Sequence, residues 1–141
     1  MEEIKQSIGV SGFLLIGHKT LIVKRAPDDD FLPEFWELAG GGVELGENPF
    51  KAVEREYLEE TNLNVRAVKP YHVFSDVVPQ RGKQYIEIDF LLELKDEIEN
   101  LKLSHEHTHF EWITRDQVED FQISDFIKEV IYRGFREYNI F

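Results

Sequence analysis

Gly41-Gly42-Val43-Glu44-Leu45-Gly46-Glu47-Asn48-Pro49-Phe50-Lys51-Ala52-Val53-Glu54-Arg55-Glu56-Tyr57-Leu58-Glu59-Glu60-Thr61-Asn62-Leu63 is the stretch on which the reading of this chain turns. Its glycines make a loop, and Asn48-Pro49 makes a helix start. Asparagine suits the N-cap, and proline at the first helical position gives up no N–H that the helix needs. The pattern predicts a helix to about Thr61, stopped by Asn62, a residue tolerant of the left-handed C-cap conformation. At roughly 100° per residue, Glu56, Glu59 and Glu60 share one strip about 100° wide. Phe50, Val53 and Tyr57 form the adjoining apolar stripe and are expected to face a sheet. The acids therefore sit at the edge of the core.

Such a strip costs the helix something. Glu56–Glu60 and Glu56–Glu59 are like-charge pairs at helical spacing, each unfavourable by roughly 0.2–0.5 kcal/mol in an isolated helix. Arg55 offsets part of this by reaching toward Glu59. Surplus acid on a wet helix face would explain three glutamates alone. The glycine loop before them favours a cation site, because backbone atoms can approach a ligand closely where no side chain intervenes. Carboxylates with a backbone carbonyl form the hard oxygen set that Mg²⁺ selects, with waters and phosphate oxygens as further ligands.

Outward from this segment, Ile8 to Ile16 and Leu21 to Val23 flank Gly17-His18-Lys19-Thr20 and read as a hairpin. Pro27 to Asp30 is a polar loop leading to a short strand around Phe35 to Leu38. After the helix, Val65 to Val78 and Gln84 to Leu94 read as strands joined at Pro79 to Gly82. Lys95 to Asn100 reads as a surface loop, Phe110 to Ile113 as a strand, and Thr114 to Asp116 as a turn. Ser124 to Tyr138 reads as a closing helix, with Phe126, Ile127, Val130, Ile131 and Phe135 at helical spacing. The order implies an α/β fold with a mixed sheet between helices.

The 141 residues suit one domain, 1–141, and 42% hydrophobic content supplies a core. No apolar run approaches the roughly 18 residues of a membrane span. The start, Met1-Glu2-Glu3-Ile4-Lys5, is acidic where a secretory signal is basic and then apolar, so a cytoplasmic protein is expected. Cysteine is absent, which removes thiolate nucleophiles and cysteine-ligated zinc. A net charge of -12 repels a nucleic acid polymer. Bound divalent ions would reconcile that charge with a small phosphorylated substrate.

The quoted segment resembles the box of the Nudix hydrolase family (MutT-like), G-x5-E-x7-R-E-U-x-E-E-x-G-U, with U a bulky aliphatic residue. Gly41, Glu47, Arg55, Glu56, Glu59 and Glu60 stand at its spacings, and Leu63 fills the final U. Asn62 replaces its last glycine and Tyr57 an aliphatic residue. Trp36 to Gly41 resembles the family's W-x-x-P-G-G, with Ala39 for proline, and Glu106…Trp112-Ile113 resembles its downstream strand. The resemblance implies an α/β/α sandwich with a central mixed β-sheet. It also implies Mg²⁺-dependent hydrolysis, with Mn²⁺ able to substitute, of a diphosphate bond in a nucleoside diphosphate derivative: a (d)NTP, ADP-ribose, a nucleotide sugar or a dinucleoside polyphosphate.

By the same resemblance Glu56, Glu59, Glu60 and the Gly40 carbonyl are metal ligands, and Glu47 and Arg55 are the pair that ties loop to helix at the catalytic site, with Glu47 sometimes assisting in it. Glu106, six residues before Trp112, is the leading general base, with Glu56 second. Homodimers are common in the family. A non-catalytic nucleotide-sensing module is the alternative, though such modules lose box acids that this chain keeps. Prenyl diphosphate isomerisation in the family uses a cysteine, and this chain has none.

Other residues carry weaker signals. Arg25 ends a strand where relatives present a cation to substrate, and Phe35 or Trp36 could stack on a base. A strand through His105, His107 and His109 would put three imidazoles on one face, a transition-metal pattern that a solvated loop equally explains.

Overall fold

The computed structural model describes residues 3–141. Met1 and Glu2, where the acidic start begins, lie outside the described residues. Strands β1 (Lys5–Ile16), β2 (Lys19–Arg25), β3 (Trp36–Glu37) and β4 (Gly40–Gly42) precede helix α1 (Pro49–Thr61). Strands β5 (Val65–Val78), β6 (Lys83–Leu94) and β7 (His107–Ile113) follow, and helix α2 (Asp125–Glu137) comes last. Among the described residues the strands form one sheet in the order β3-β2-β1-β6-β5, with β4 also on β1 and β7 also on β2. β1 runs parallel to β6, and the other pairings are antiparallel.

The two-residue period of a strand divides the interior. Val10 and Leu14 of β1, with Phe90 and Leu92 of β6, pack against Val53 and Tyr57 of α1. Phe13 and Leu91 point to the other face, where Val130, Ile131 and Phe135 of α2 cover them. The result is the α/β/α sandwich expected, with a mixed sheet in the middle. No helix among the described residues is long and apolar enough to cross a membrane.

Helix α1 begins and ends where its caps require. The Asn48 side chain accepts from the Phe50 N–H, and Asn62 adopts φ 61° while its N–H donates to the Leu58 carbonyl. Val53 and Tyr57 are buried as the apolar stripe demands, whereas Phe50 stays 41% exposed and touches the core edge-on at Phe90.

The glycine run departs from the sequence reading. Gly40 to Gly42 is a strand, not a loop, because β1 lies beside it and supplies partners from Gly9 to Ser11. β7 starts three residues earlier than Phe110, since its pairing with β2 continues to His107. The turn at Thr114 lengthens into a 3-10 helix over Arg115–Asp120, closed by reciprocal Thr114–Gln117 capping. A further 3-10 turn, Ile98–Asn100, sits inside the Lys95 to Asn100 loop.

Candidate active site

Glu47 anchors the loop to the helix. Arg55 meets it with two parallel hydrogen bonds, Nε to Oε2 at 2.8 Å and Nη2 to Oε1 at 2.9 Å, and also donates to the Gly42 carbonyl at 3.0 Å. This forked pairing holds the Glu47 carboxyl down at about 2. Arg55 Nη1 reaches Glu56 at 2.9 Å and Glu59 at 3.3 Å, so one guanidinium gathers three of the helix and loop acids.

The three helix glutamates occupy different surroundings. Glu59 is exposed and Glu56 is half-buried. Glu60 is only 4% exposed and accepts from the Gly40 N–H at 2.8 Å. Burial raises Glu56, against the pull of Arg55. Burial, together with the charges of Glu37 and Glu106, pushes Glu60 up to about 10. The two glycines are dictated by this packing. A Cβ at Gly40 would run into the Val10 carbonyl, and one at Gly41 would overlap the Glu56 carboxylate.

Glu106 reaches these acids through backbone contacts. The Lys102 and Ser104 N–H groups donate to the Thr61 and Glu60 carbonyls, laying this segment along the end of α1. The Glu106 carbonyl then accepts from the Ala26 N–H at the end of β2. The Glu106 side chain lines, with Glu60, a cleft of ≈370 Å³ that also takes in Gly40 to Gly42, Arg25, Glu37 and His107.

A family model described as NUDIX domain matches residues 5–133. The chain belongs to the Nudix hydrolase family. Nucleoside triphosphatase NudI of Enterobacter sp. (strain 638) is 28% identical over 115 residues, covering 74% of this chain and 79% of that protein. An RNA pyrophosphohydrolase of Mesorhizobium japonicum is 35% identical over 54 residues, 37% of this chain and 29% of the relative. In fold, the chain superposes on the MutT protein of Methanosarcina mazei Go1 with TM-score 0.83 at 21% identity, covering 99% of both chains. The E. coli ORF135 protein gives 0.79 at 19% identity, covering 96% of this chain and 93% of that one.

Beside the Nudix box stands a second polar chain that the sequence reading missed. Arg25 pairs with Glu37 at 2.8 Å and with Asp29 at 2.9 Å. The other Glu37 oxygen lies 2.8 Å from His107 Nε2, and His107 Nδ1, which has no hydrogen-bond partner among the described residues, faces Glu60 at 3.9 Å. Glu37 gave no signal in sequence because a two-residue strand has no periodicity to read. His107 stood in view, but in the wrong company. It is buried, while His105 lies exposed in the turn before β7, and exposed His109 bonds Thr108. The β2–β7 irregularity at Lys24/Arg25 breaks the alternation that would have aligned the three imidazoles.

Phe35 does not line the cleft; its carbonyl accepts from the Arg25 N–H. Trp36 packs edge-on against Phe121. The aromatic ring near Arg25 is Phe31, 5.7 Å from the guanidinium carbon.

Among the described residues, no three His, Asp or Glu side chains converge closely enough to hold an ion as they stand. Glu56 and Glu59 meet the Arg55 guanidinium, at 2.9 Å and 3.3 Å. The donor set nevertheless fits a divalent cation. It consists of carboxylate oxygens, and a buried Glu60 crowded by Glu37 and Glu106 is the group that a nearby positive charge would relieve. Nudix family members generally use divalent metal ions.

Proposed function

We propose that this chain is a Mg²⁺-dependent pyrophosphohydrolase that cleaves a phosphoanhydride bond in a small nucleoside phosphate. The observation that carries the reading is the meeting of buried Glu60 with Glu106 in one cleft beside Glu56. Acids so placed repel a phosphate unless a cation joins them. Glu56, Glu59, Glu60 and the Gly40 carbonyl would hold it. Such an ion supplies charge neutralisation for the diphosphate and acidifies a water.

The chain's own residues do the rest. Glu106 accepts a proton from the water that attacks phosphorus, with Glu56 as the second candidate for that role. The anhydride P–O bond breaks, and the leaving phosphate departs with its electron pair. Glu47 fixes Arg55, and Arg55 sets the directions of Glu56 and Glu59. Arg25 leaves Glu37 or Asp29 to meet a substrate phosphate, and Phe31 is better placed than Phe35 to lie against a base.

The NudI likeness supports nucleoside triphosphates as the first substrates to test. The net charge of -12 weighs against an RNA chain despite the shorter likeness to an RNA pyrophosphohydrolase. The test is phosphate or pyrophosphate release from (d)NTPs, ADP-ribose, nucleotide sugars and dinucleoside polyphosphates, with Mg²⁺, Mn²⁺ or a chelator. Turnover that the chelator stops is expected. Nucleotide binding with no product from any of these would replace the enzyme with a sensing module.

A further inference from the structure

β6 carries two acids that the hydrolytic chemistry above does not use. Glu87 and Asp89 point to the α2 face of the sheet, four and two positions before Leu91, which packs beneath α2. Asp89 is fully buried and satisfied: the Ser11 hydroxyl donates to it at 2.6 Å, and His72 Nδ1 lies 2.9 Å from its other oxygen. Glu87 differs. Its Oε2 is out of water with no hydrogen-bond partner among the described residues.

Two hollows meet at this side chain. Glu87 lines the acidic cleft that holds Glu60 and Glu106, and it also lines a neighbouring hollow of ≈150 Å³ walled by Phe31, Phe74, Tyr85 and Phe126. Its partner across the β1–β6 pairing is Gly9, which puts no side chain between them. A flat ring fits among the aromatic walls, and phosphates fit beside the acids of α1. Burial and the Asp89 charge raise Glu87 well above the ordinary carboxylate range. Oε2, with no partner of its own among the described residues, is an acceptor left unused. The group it lacks is an N–H.

Building on the nucleotide-hydrolase reading, we infer that Glu87 is a specificity-determining residue whose Oε2 accepts a hydrogen bond from the exocyclic amino group of the substrate's nucleobase. A sugar hydroxyl could also donate, but the aromatic walls beside Glu87 favour a base there.

The experiment measures equilibrium binding of matched monophosphates, CMP with UMP, AMP with IMP, and GMP with IMP, to wild type, E87M and E87Q. Thermal melts check that each variant folds. In at least one pair the amino-bearing member should bind wild type about tenfold tighter or more. E87M should bring that ratio within about threefold, and E87Q, which can present an N–H, should lower it in the CMP–UMP and AMP–IMP pairs by improving the oxo member. Where E87M does not melt cooperatively, E87Q is the readout. Equal or undetectable binding of both members of every pair overturns the inference, as does a ratio that survives the substitution. Amino-selective binding without hydrolysis of any triphosphate supports this inference and counts against the hydrolase reading alone.

Discussion

Gly40 donates its backbone N–H to Oε1 of Glu60 across 2.8 Å, joining the glycine strand to the most buried acid of helix α1. That single hydrogen bond favours the charged carboxylate, but burial and the neighbouring Glu37 and Glu106 outweigh it, and Glu60 rises to about 10. The ordinary value, 4.5, applies once the chain unfolds. Between these values the folded protein binds more protons than the unfolded one, so stability contributed by this group falls as pH rises. In a chelator, Tm should therefore drop between about pH 6 and pH 9, and Mg²⁺ should flatten the drop by replacing the proton. Glu60→Gln should flatten it without Mg²⁺. Thermal melts across pH check both, and a metal-free Tm that climbs over that range would contradict the account.

Gly41 lies against the Glu56 carboxylate so closely that any side chain there must displace it. Gly41→Ala should therefore reduce kcat by roughly the 10²–10³-fold that removal of a key charge-stabilising group costs, because the acid moves off its position. The carboxylate is the free end of a flexible side chain, so stability should change by less than about 1 kcal/mol. Glu56→Gln should abolish turnover and also keep the fold. Steady-state kinetics with a parallel denaturant titration separates the two effects. Full activity in Glu56→Gln would remove this residue from the proposed metal site.

Glu106 is set by backbone tethers at Ala26, Ser104 and Lys102, none of which needs its carboxylate. Glu106→Gln should leave the cleft assembled and lower kcat at least about tenfold, with little change in substrate binding. A smaller loss would transfer the base role to Glu56.

What could be read from sequence was what neighbours along the chain decide. Asn48, Pro49 and Asn62 delimit α1 through contacts within four residues, so its boundaries were legible, and so was Asn62 in place of the box glycine. The left-handed φ there makes a further expectation. Asn62→Ala should cost about 1–2 kcal/mol, since alanine has no polar side chain to ease that conformation and the Asn62–Asn100 hydrogen bond is lost. Asn62→Gly should cost less, and urea denaturation distinguishes them.

Partners distant in sequence were not legible. Gly42 becomes strand because Gly9 pairs with it, and Glu37 becomes part of the site because His107, seventy positions on, turns its ring inward. The box residues were identifiable by spacing. That Arg55 holds Glu56 and Glu59 together, or that Phe31 and not Phe35 stands near Arg25, depends on loop geometry that no local pattern encodes.

Gly134 sets local propensity against packing. It sits inside α2, where replacing glycine by alanine normally stabilises a helix by about 1 kcal/mol. Here a Cβ would collide with the ring of Phe13 on β1, and that ring is already fixed edge-on by Phe135 at 5.0 Å. Phe13 is wholly buried, so the ring can yield only by moving the helix off the sheet. Overpacking of this kind costs about 1–3 kcal/mol, which exceeds the propensity gain. Gly134→Ala should therefore lower stability, and adding Phe13→Leu, which removes the obstructing ring edge, should recover part of the gain in helix propensity. A double-mutant cycle by urea denaturation tests this. Additive effects of the two substitutions would show that the contact does not hold α2 at its distance from the sheet.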